Sequence, residues 1–99
     1  MIKKVVDVAL NEQINAEFHS AYLYLSMSAY FLSEGLAGYA NWMRIQYQEE
    51  LAHATRFFDY VNERGGVVKL SPIEEVQVEF SGVVDVFERT LIQNRSLPD

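Results

Sequence analysis

Apolar residues recur at steps of three and four along the first third of the chain, which is the spacing of one helix face. Between residues 5 and 34 this stripe contains Leu10, Ile14, Ala21, Tyr24, Leu25, Ser28 and Leu32. A second stripe, between residues 36 and 64, contains Tyr39, Met43, Gln46, Glu50, His53, Phe57, Tyr60 and Val61. Gly35 follows the first stripe and Gly65-Gly66 the second, as expected at helix ends. The pattern predicts an antiparallel hairpin of two helices.

Residues 65–81 have no helical period and contain Pro72, which predicts an extended connection along the outside of the hairpin. Residues 82–94 predict a short third helix, with Ser81 as its cap and Pro98 beyond its end. The predicted fold class is all-α, with residues 1–99 in one domain. A two-helix hairpin cannot bury both stripes alone, so we expect half of a four-helix bundle, completed by oligomerisation into at least a homodimer.

Charge and composition narrow the classes of partner. The formal net charge is −6, with 14 acidic against 8 basic residues, so no basic face is expected for nucleic acid. Residues 18–33 carry no full charge but contain Ser, Tyr and His, which makes them too polar and too short to span a membrane. The absence of cysteine excludes disulfides and thiolate metal sites. We expect a cytoplasmic protein.

Three residues that bind metals interrupt the two apolar stripes. Glu50 and His53 are three apart and project from one helix face, and Glu17 lies on the preceding helix. A buried carboxylate costs several kcal/mol unless it is neutralised, and a metal ion would neutralise two. Mixed carboxylate and imidazole ligands suit iron, manganese or zinc. The alternative is a metal-free polar layer in which the three side chains satisfy one another.

Other residues near this set have less specific signals. Tyr24, two turns after Glu17, is either a core tyrosine or a hydrogen-bonding and electron-donating neighbour of the ligands. Glu49 lies about 100° around the helix from Glu50 and either borders the site or is solvated. Gln46, one turn before Glu50, is a candidate donor to a ligand carboxylate. His19 is expected at the surface or an interface.

Several longer motifs resemble the ferritins, especially the non-haem ferritins of bacteria and archaea. The first predicted helix contains Leu10-Asn-Glu-Gln-Ile-Asn-Ala-Glu17 and Ser20-Ala-Tyr-Leu-Tyr-Leu-Ser-Met. The second contains Gly38-Tyr-Ala-Asn-Trp-Met and Gln48-Glu-Glu-Leu-Ala-His-Ala. Glu63-Arg-Gly-Gly followed by Val-Val-Lys-Leu is similar to the start of the ferritin crossover loop. The resemblance extends over about residues 5–91.

The resemblance implies a di-iron ferroxidase centre that oxidises Fe(II) to Fe(III) with dioxygen or peroxide, and iron storage in a shell of 24 subunits. Glu17, Glu50 and His53 match the first iron site, with Glu50 also bridging to the second. Tyr24 matches a redox-active tyrosine, and Glu49 a ligand of a third iron position. Leu51 stands where haem-binding relatives have methionine, so haem is not implied.

The chain also departs from the ferritin pattern. Gln93-Asn94 stands where the resemblance leads us to expect a His-Glu pair, and the ligands of a fourth helix do not occur. The segment from Ile92 to Asp99 suggests a truncated, frameshifted or engineered subunit. Two hairpins, each contributing two glutamates and one histidine, would supply six ligands, as in di-iron bundles. The alternatives are a metal-free oligomerisation module and a subunit that enters the shells of a longer ferritin.

Overall fold

The protein is all-α, as the apolar spacing predicts. The computed structural model describes residues 3–96, with side chains described through residue 92. Its helices are α1 (Lys4–Ser33), α2 (Ala37–Glu63) and α3 (Val83–Ser96). No strand occurs within residues 3–96, and no helix there is long and apolar enough to cross a membrane. Pro98 and the side chains of Gln93 and Asn94 lie outside what the structure describes.

The turn between α1 and α2 is closed by glycine at the predicted place. Gly35 has a φ of 74°, which an L side chain rarely adopts. Its N–H donates to Leu32 O at 3.1 Å, and the N–H of Leu36 donates to Phe31 O at 2.8 Å. These two bonds form a Schellman motif, which satisfies carbonyls at the helix end and reverses the chain. The hairpin geometry therefore follows directly from local sequence.

The end of α2 repeats the same closure. Gly65 has a φ of 80° and its N–H donates to Asn62 O at 3.3 Å. The N–H of Gly66 donates to Val61 O at 2.9 Å. The chain then leaves α2 in an extended conformation, as the sequence predicts for this connection.

The extended connection is fastened to α1 by side-chain hydrogen bonds. The Asn11 amide donates to Val67 O at 2.9 Å and accepts from the Lys69 N–H at 2.6 Å. Farther along, the Ser26 hydroxyl donates to Gln77 O at 2.6 Å. Because an extended segment has no internal ladder, these bonds satisfy part of its backbone. They hold the connection along α1 and deliver the chain to the start of α3.

The start of α3 differs in detail from the prediction. The Ser81 side chain is the expected cap, but the bond found there joins the Ser81 backbone N–H to Asp85 Oδ2 at 3.0 Å. The acidic side chain in the first turn thus reaches back to the backbone N–H of the residue that precedes the N-cap Gly82. Asp85 also lies 3.5 Å from Arg89 one turn later.

A cluster of buried residues joins all three helices near the hairpin turn: Tyr24, Met27, Phe31, Ala40, Met43 and Val86. The Phe87 ring of α3 lies 6.1 Å from the Phe31 ring and 5.6 Å from the Trp42 ring, measured between centroids. The Thr90 hydroxyl lies 3.7 Å from the Met27 sulfur. Packing of α3 therefore buries the side of α1 that carries Met27 and Phe31.

The structure corrects three positions of the predicted stripes. Leu32 is 61% exposed, because α3 lies against the other side of α1 at this level. The ring centroids of Tyr39 and Phe31 are 5.3 Å apart, yet Tyr39 remains 44% exposed. Tyr60, 42% exposed, packs under the guanidinium of Arg64 at 5.0 Å. Spacing alone placed all three inside, and for Leu32 it does not reveal that α3 will pack on the Phe31 side of α1.

Truncation of the buried Phe31 should destabilise the protein much more than truncation of the neighbouring exposed Leu32. Phe31 is fully buried among residues of all three helices, so Phe31→Ala should lower the free energy of unfolding by about 3–5 kcal/mol. Urea denaturation followed by circular dichroism measures the change. Leu32→Ala is the matched control and should change stability by less than about 0.5 kcal/mol. Equal losses in the two variants would contradict the described packing.

Candidate metal centre

The structure brings together Glu17, Glu50 and His53, the three candidates from the sequence. Glu17 lies midway along α1, and the other two lie midway along α2, on the side that faces α1. One ligand atom from each residue can be chosen so that all three atoms lie within 4.8 Å of one another. The hairpin turn sets the register of α1 against α2, so the cluster depends on the glycine closure at Gly35.

The distances within the cluster suit a single metal ion. His53 Nδ1 lies 3.4 Å from Glu17 Oε2 and 3.7 Å from Glu50 Oε1. Two ligand atoms each about 2.1 Å from a metal ion are about 3.0–3.5 Å apart at right or tetrahedral angles. The three side chains thus need only small movements to coordinate one ion.

Both carboxylates are desolvated and incompletely hydrogen-bonded. The Glu17 side chain is 5% exposed and that of Glu50 13%. Glu17 Oε2 and Glu50 Oε2 are buried without a hydrogen-bond donor. Burial, followed by the hydrogen bond and charge of Glu17, raises the pKa of Glu50 to about 8. When Glu50 is protonated, its O–H supplies a hydrogen-bond donor between the two carboxyl groups. A cation bound between them would take the place of that proton.

Tyr24 lies next to the acidic cluster and is 2% exposed. Burial, together with the negative charges of Glu50 and Glu49, raises its pKa to about 12. The phenol therefore keeps its proton at neutral pH. Its position fits both interpretations from the sequence, since Tyr24 belongs to the core cluster and also feels the charges of the site.

Glu49 lies outside the three-residue cluster and is exposed to solvent. Its negative charge still raises the pKa of Glu50 and of Tyr24, so it contributes to the field around the centre. Gln46 is half-buried one turn before Glu50, and its role as a donor to the site stays a prediction. His19 is also half-buried and is not part of the cluster.

Sequence reasoning missed two residues that support the carboxylates. The Gln13 amide donates from Nε2 to Glu17 Oε1 at 2.9 Å. The Ser20 hydroxyl, fully buried, hydrogen-bonds the Glu50 carboxylate and opposes the rise of its pKa. The signal for both was available, since Gln13 precedes Glu17 by four residues and Ser20 follows it by three. The sequence instead predicted Gln46 as the donor, because Gln46 lies on the apolar stripe of the second helix.

One side of the centre is open. The His53 side chain is 43% exposed, in contrast to the two buried carboxylates. On the half of the hairpin nearer the turn, α3 packs over the same face through Val86 and Phe87. A second hairpin laid along the full length of this face would meet α3.

The three helices and the carboxylate–histidine cluster define the class of protein as a helical bundle with a candidate metal site inside it. A sequence profile of the ferritin-like domain matches residues 8–97. The chain belongs to the ferritin family.

Individual relatives agree with this assignment. The chain is 44% identical over 95 residues to a bacterial non-heme ferritin of Bacteroides fragilis, spanning 96% of this chain and 60% of that protein. It is 38% identical over 97 residues to one of Staphylococcus epidermidis, spanning 98% and 58%.

Solved structures show the same fold. An engineered closed form of the Archaeoglobus fulgidus ferritin superposes with a TM-score of 0.94 at 52% identity, over 96% of this chain and 58% of that one. The open pore ferritin of the same archaeon gives 0.93 at 52% identity, over 96% and 59%. The chain thus spans about 60% of the length of these relatives.

Replacement of Glu50 by glutamine should change how stability depends on pH. Because the folded protein raises the Glu50 pKa from 4.5 to about 8, the stability contributed by its proton is complete below pH 4.5 and is lost as the pH rises to 8. Glu50→Gln keeps an uncharged side chain, so the metal-free variant should be more stable than wild type at pH 9 and should lack this part of the loss. Thermal unfolding in chelator between pH 5 and 9 measures the difference.

The exposed Glu74 offers a matched control for this titration. Glu74→Gln should follow the wild-type profile, because its carboxylate is solvated in both states. Parallel profiles for wild type and Glu50→Gln would contradict the desolvated state of Glu50.

Proposed function

We propose that this chain binds Fe(II) at Glu17, Glu50 and His53 and oxidises it as a ferritin-like protein of iron storage. The observation that carries the proposal is a pair of buried carboxylate oxygens without donors, Glu17 Oε2 and Glu50 Oε2. They belong to a cluster in which ligand atoms of Glu17, Glu50 and His53 lie within 4.8 Å of one another. A cation between them removes the repulsion and the desolvation cost at once. Iron is the metal that this proposal assigns, because carboxylate and imidazole ligands suit it and the family is that of the ferritins.

Each residue has a distinct part in the proposed reaction. Glu17 and His53 are terminal ligands of the first iron, while Glu50 binds the first iron and bridges to a second. Anionic oxygen ligands stabilise Fe(III) more than Fe(II), because the added positive charge is met by fixed negative charge. Two ferrous ions supply the two electrons that reduce dioxygen to hydrogen peroxide, with two protons taken from solvent.

Glu49 and Tyr24 act around this reaction. Glu49 is exposed and negatively charged, so it attracts incoming cations and provides the ligand of a third position. Tyr24 keeps its proton at neutral pH. It can therefore donate one electron together with one proton when the irons supply one electron too few to the oxidant. These roles rest on the charges that the two residues exert or receive at the site.

The second iron needs ligands beyond the three of one hairpin. A second copy of this chain would supply Glu17, Glu50 and His53 again, giving the six ligands of a di-iron bundle. The exposed side of His53 is where this second set has to approach. Since α3 occupies part of that face, a shared site forms only with α3 displaced, and the homo-oligomer remains part of the proposal.

A metal-free helical assembly is the second candidate. The raised pKa of Glu50 supports it, because a shared proton satisfies Glu17 and Glu50 without an ion. Large apolar residues on α1 and on the extended connection also remain exposed, as an interface would need: Val5, Val8, Tyr22, Leu70 and Val78. Cytoplasmic localisation stays a prediction under either function.

Fe(II) binding and oxidation test the proposal directly. Anaerobic Fe(II) should raise the melting temperature of the wild-type chain, since a ligand at 100 times its Kd stabilises by about 2.7 kcal/mol. Glu50→Ala should abolish this shift and reduce aerobic oxidation to the rate in buffer. Glu74→Ala, which removes an exposed carboxylate, should behave as wild type. Unchanged melting of the wild type on Fe(II) addition would favour the metal-free assembly.

Tyr24→Phe tests the electron-donor role separately. The variant keeps the buried ring, so Fe(II) binding measured by the melting shift should equal that of wild type. A tyrosyl radical should appear in wild type after aerobic Fe(II) addition and be absent from Tyr24→Phe, as followed by electron paramagnetic resonance. The same radical in both proteins would assign it to another tyrosine.

A further inference from the structure

Gln13 makes a hydrogen bond that distinguishes the two oxygens of Glu17. Its amide Nε2 donates to Glu17 Oε1 at 2.9 Å, from one helical turn earlier on α1. The other oxygen, Oε2, is buried without a donor and lies 3.4 Å from His53 Nδ1. One oxygen of Glu17 is therefore engaged within α1, and the other is directed into the cluster.

The hydrogen bond to one oxygen of Glu17 affects how this carboxylate would coordinate a metal. A carboxylate binds a metal through one oxygen or through both, and engaging one oxygen with an amide favours binding through the other. Groups that hydrogen-bond a ligand fix its orientation, and their loss typically weakens metal binding or activity by 10–100-fold. Gln13 is half-buried, so its amide is held beside Glu17 rather than free in solvent.

We propose that Gln13 is a positioning residue of the metal centre, which holds Glu17 as a ligand through Oε2 alone. The inference rests on the proposed function, because it assigns how one of the three ligands binds. With Glu17 occupying one coordination position, a position remains on the metal for the second carboxylate or the oxidant. Loss of the amide frees Oε1 to bind as well, which fills that position and raises the coordination number.

Co(II) binding to the full chain tests this inference with Gln13→Met, which keeps the side-chain length and removes the donor. Co(II) absorbs visible light more strongly at low coordination number, so its spectrum reports the number of ligands. We expect the Kd for Co(II) to rise about tenfold and the absorbance per bound ion to fall. Gln48→Met, at an exposed position of α2, is the matched control and should leave both quantities at wild-type values.

The outcomes separate the two proposals. Gln13→Met with the wild-type Kd and spectrum would overturn the positioning role while leaving the metal site intact. A weaker Kd with an unchanged spectrum would also overturn it, because the variant would then act through stability or packing. Failure of wild type to bind Co(II), Zn(II) or Fe(II) would refute the metal site itself and the inference with it. Melting temperatures in chelator confirm that the variants are folded.

Discussion

The structure depends on how the hairpin accommodates two buried carboxylates that face each other between α1 and α2. Glu17 and Glu50 are nearly withdrawn from water, and each keeps one oxygen without a donor. Without compensation, their repulsion and lost hydration would oppose the packing of the two helices. The raised pKa of Glu50 follows from this cost, because a bound proton removes the charge of a carboxylate that has lost its hydration. The same cost makes the site receptive to a cation.

Because α1 and α2 are long, the turn between them determines which residues lie opposite each other far from the turn. Glycine closures at Gly35 and Gly65 end α1 and α2, and the first of them fixes which residues of the two helices lie opposite. At about 1.5 Å rise per residue, a slip of one position would move Glu50 away from Glu17 and rotate it by about 100°. The polar cluster is thus as sensitive to the turn as to its own residues.

Hydrogen bonds within α1 and across to α2 give the site its asymmetry. Gln13 engages one oxygen of Glu17, and Ser20 bonds Glu50, so donors of α1 support both carboxylates. His53 completes the cluster from the exposed side. Packing of α3 closes the half nearer the turn, and the side of the centre beside His53 stays open. The burial of the carboxylates, the hydrogen bonds that support them and the access from solvent thus come from different parts of the structure.

The sequence by itself determined the helices, the hairpin and the three candidate ligands, because periodicity, glycine stops and i,i+3 spacing are local properties. It also placed Tyr24 beside the site. Only the tertiary structure decided which side of each helix is buried, since α3 packs against Phe31 and leaves Leu32 exposed. It alone showed that the Gln13 amide donates to Glu17, because spacing by four residues allows such a bond but does not fix the side-chain conformation that forms it. The position of α3 against α1 is a relation between distant segments, which comes from packing and is not encoded by any local pattern.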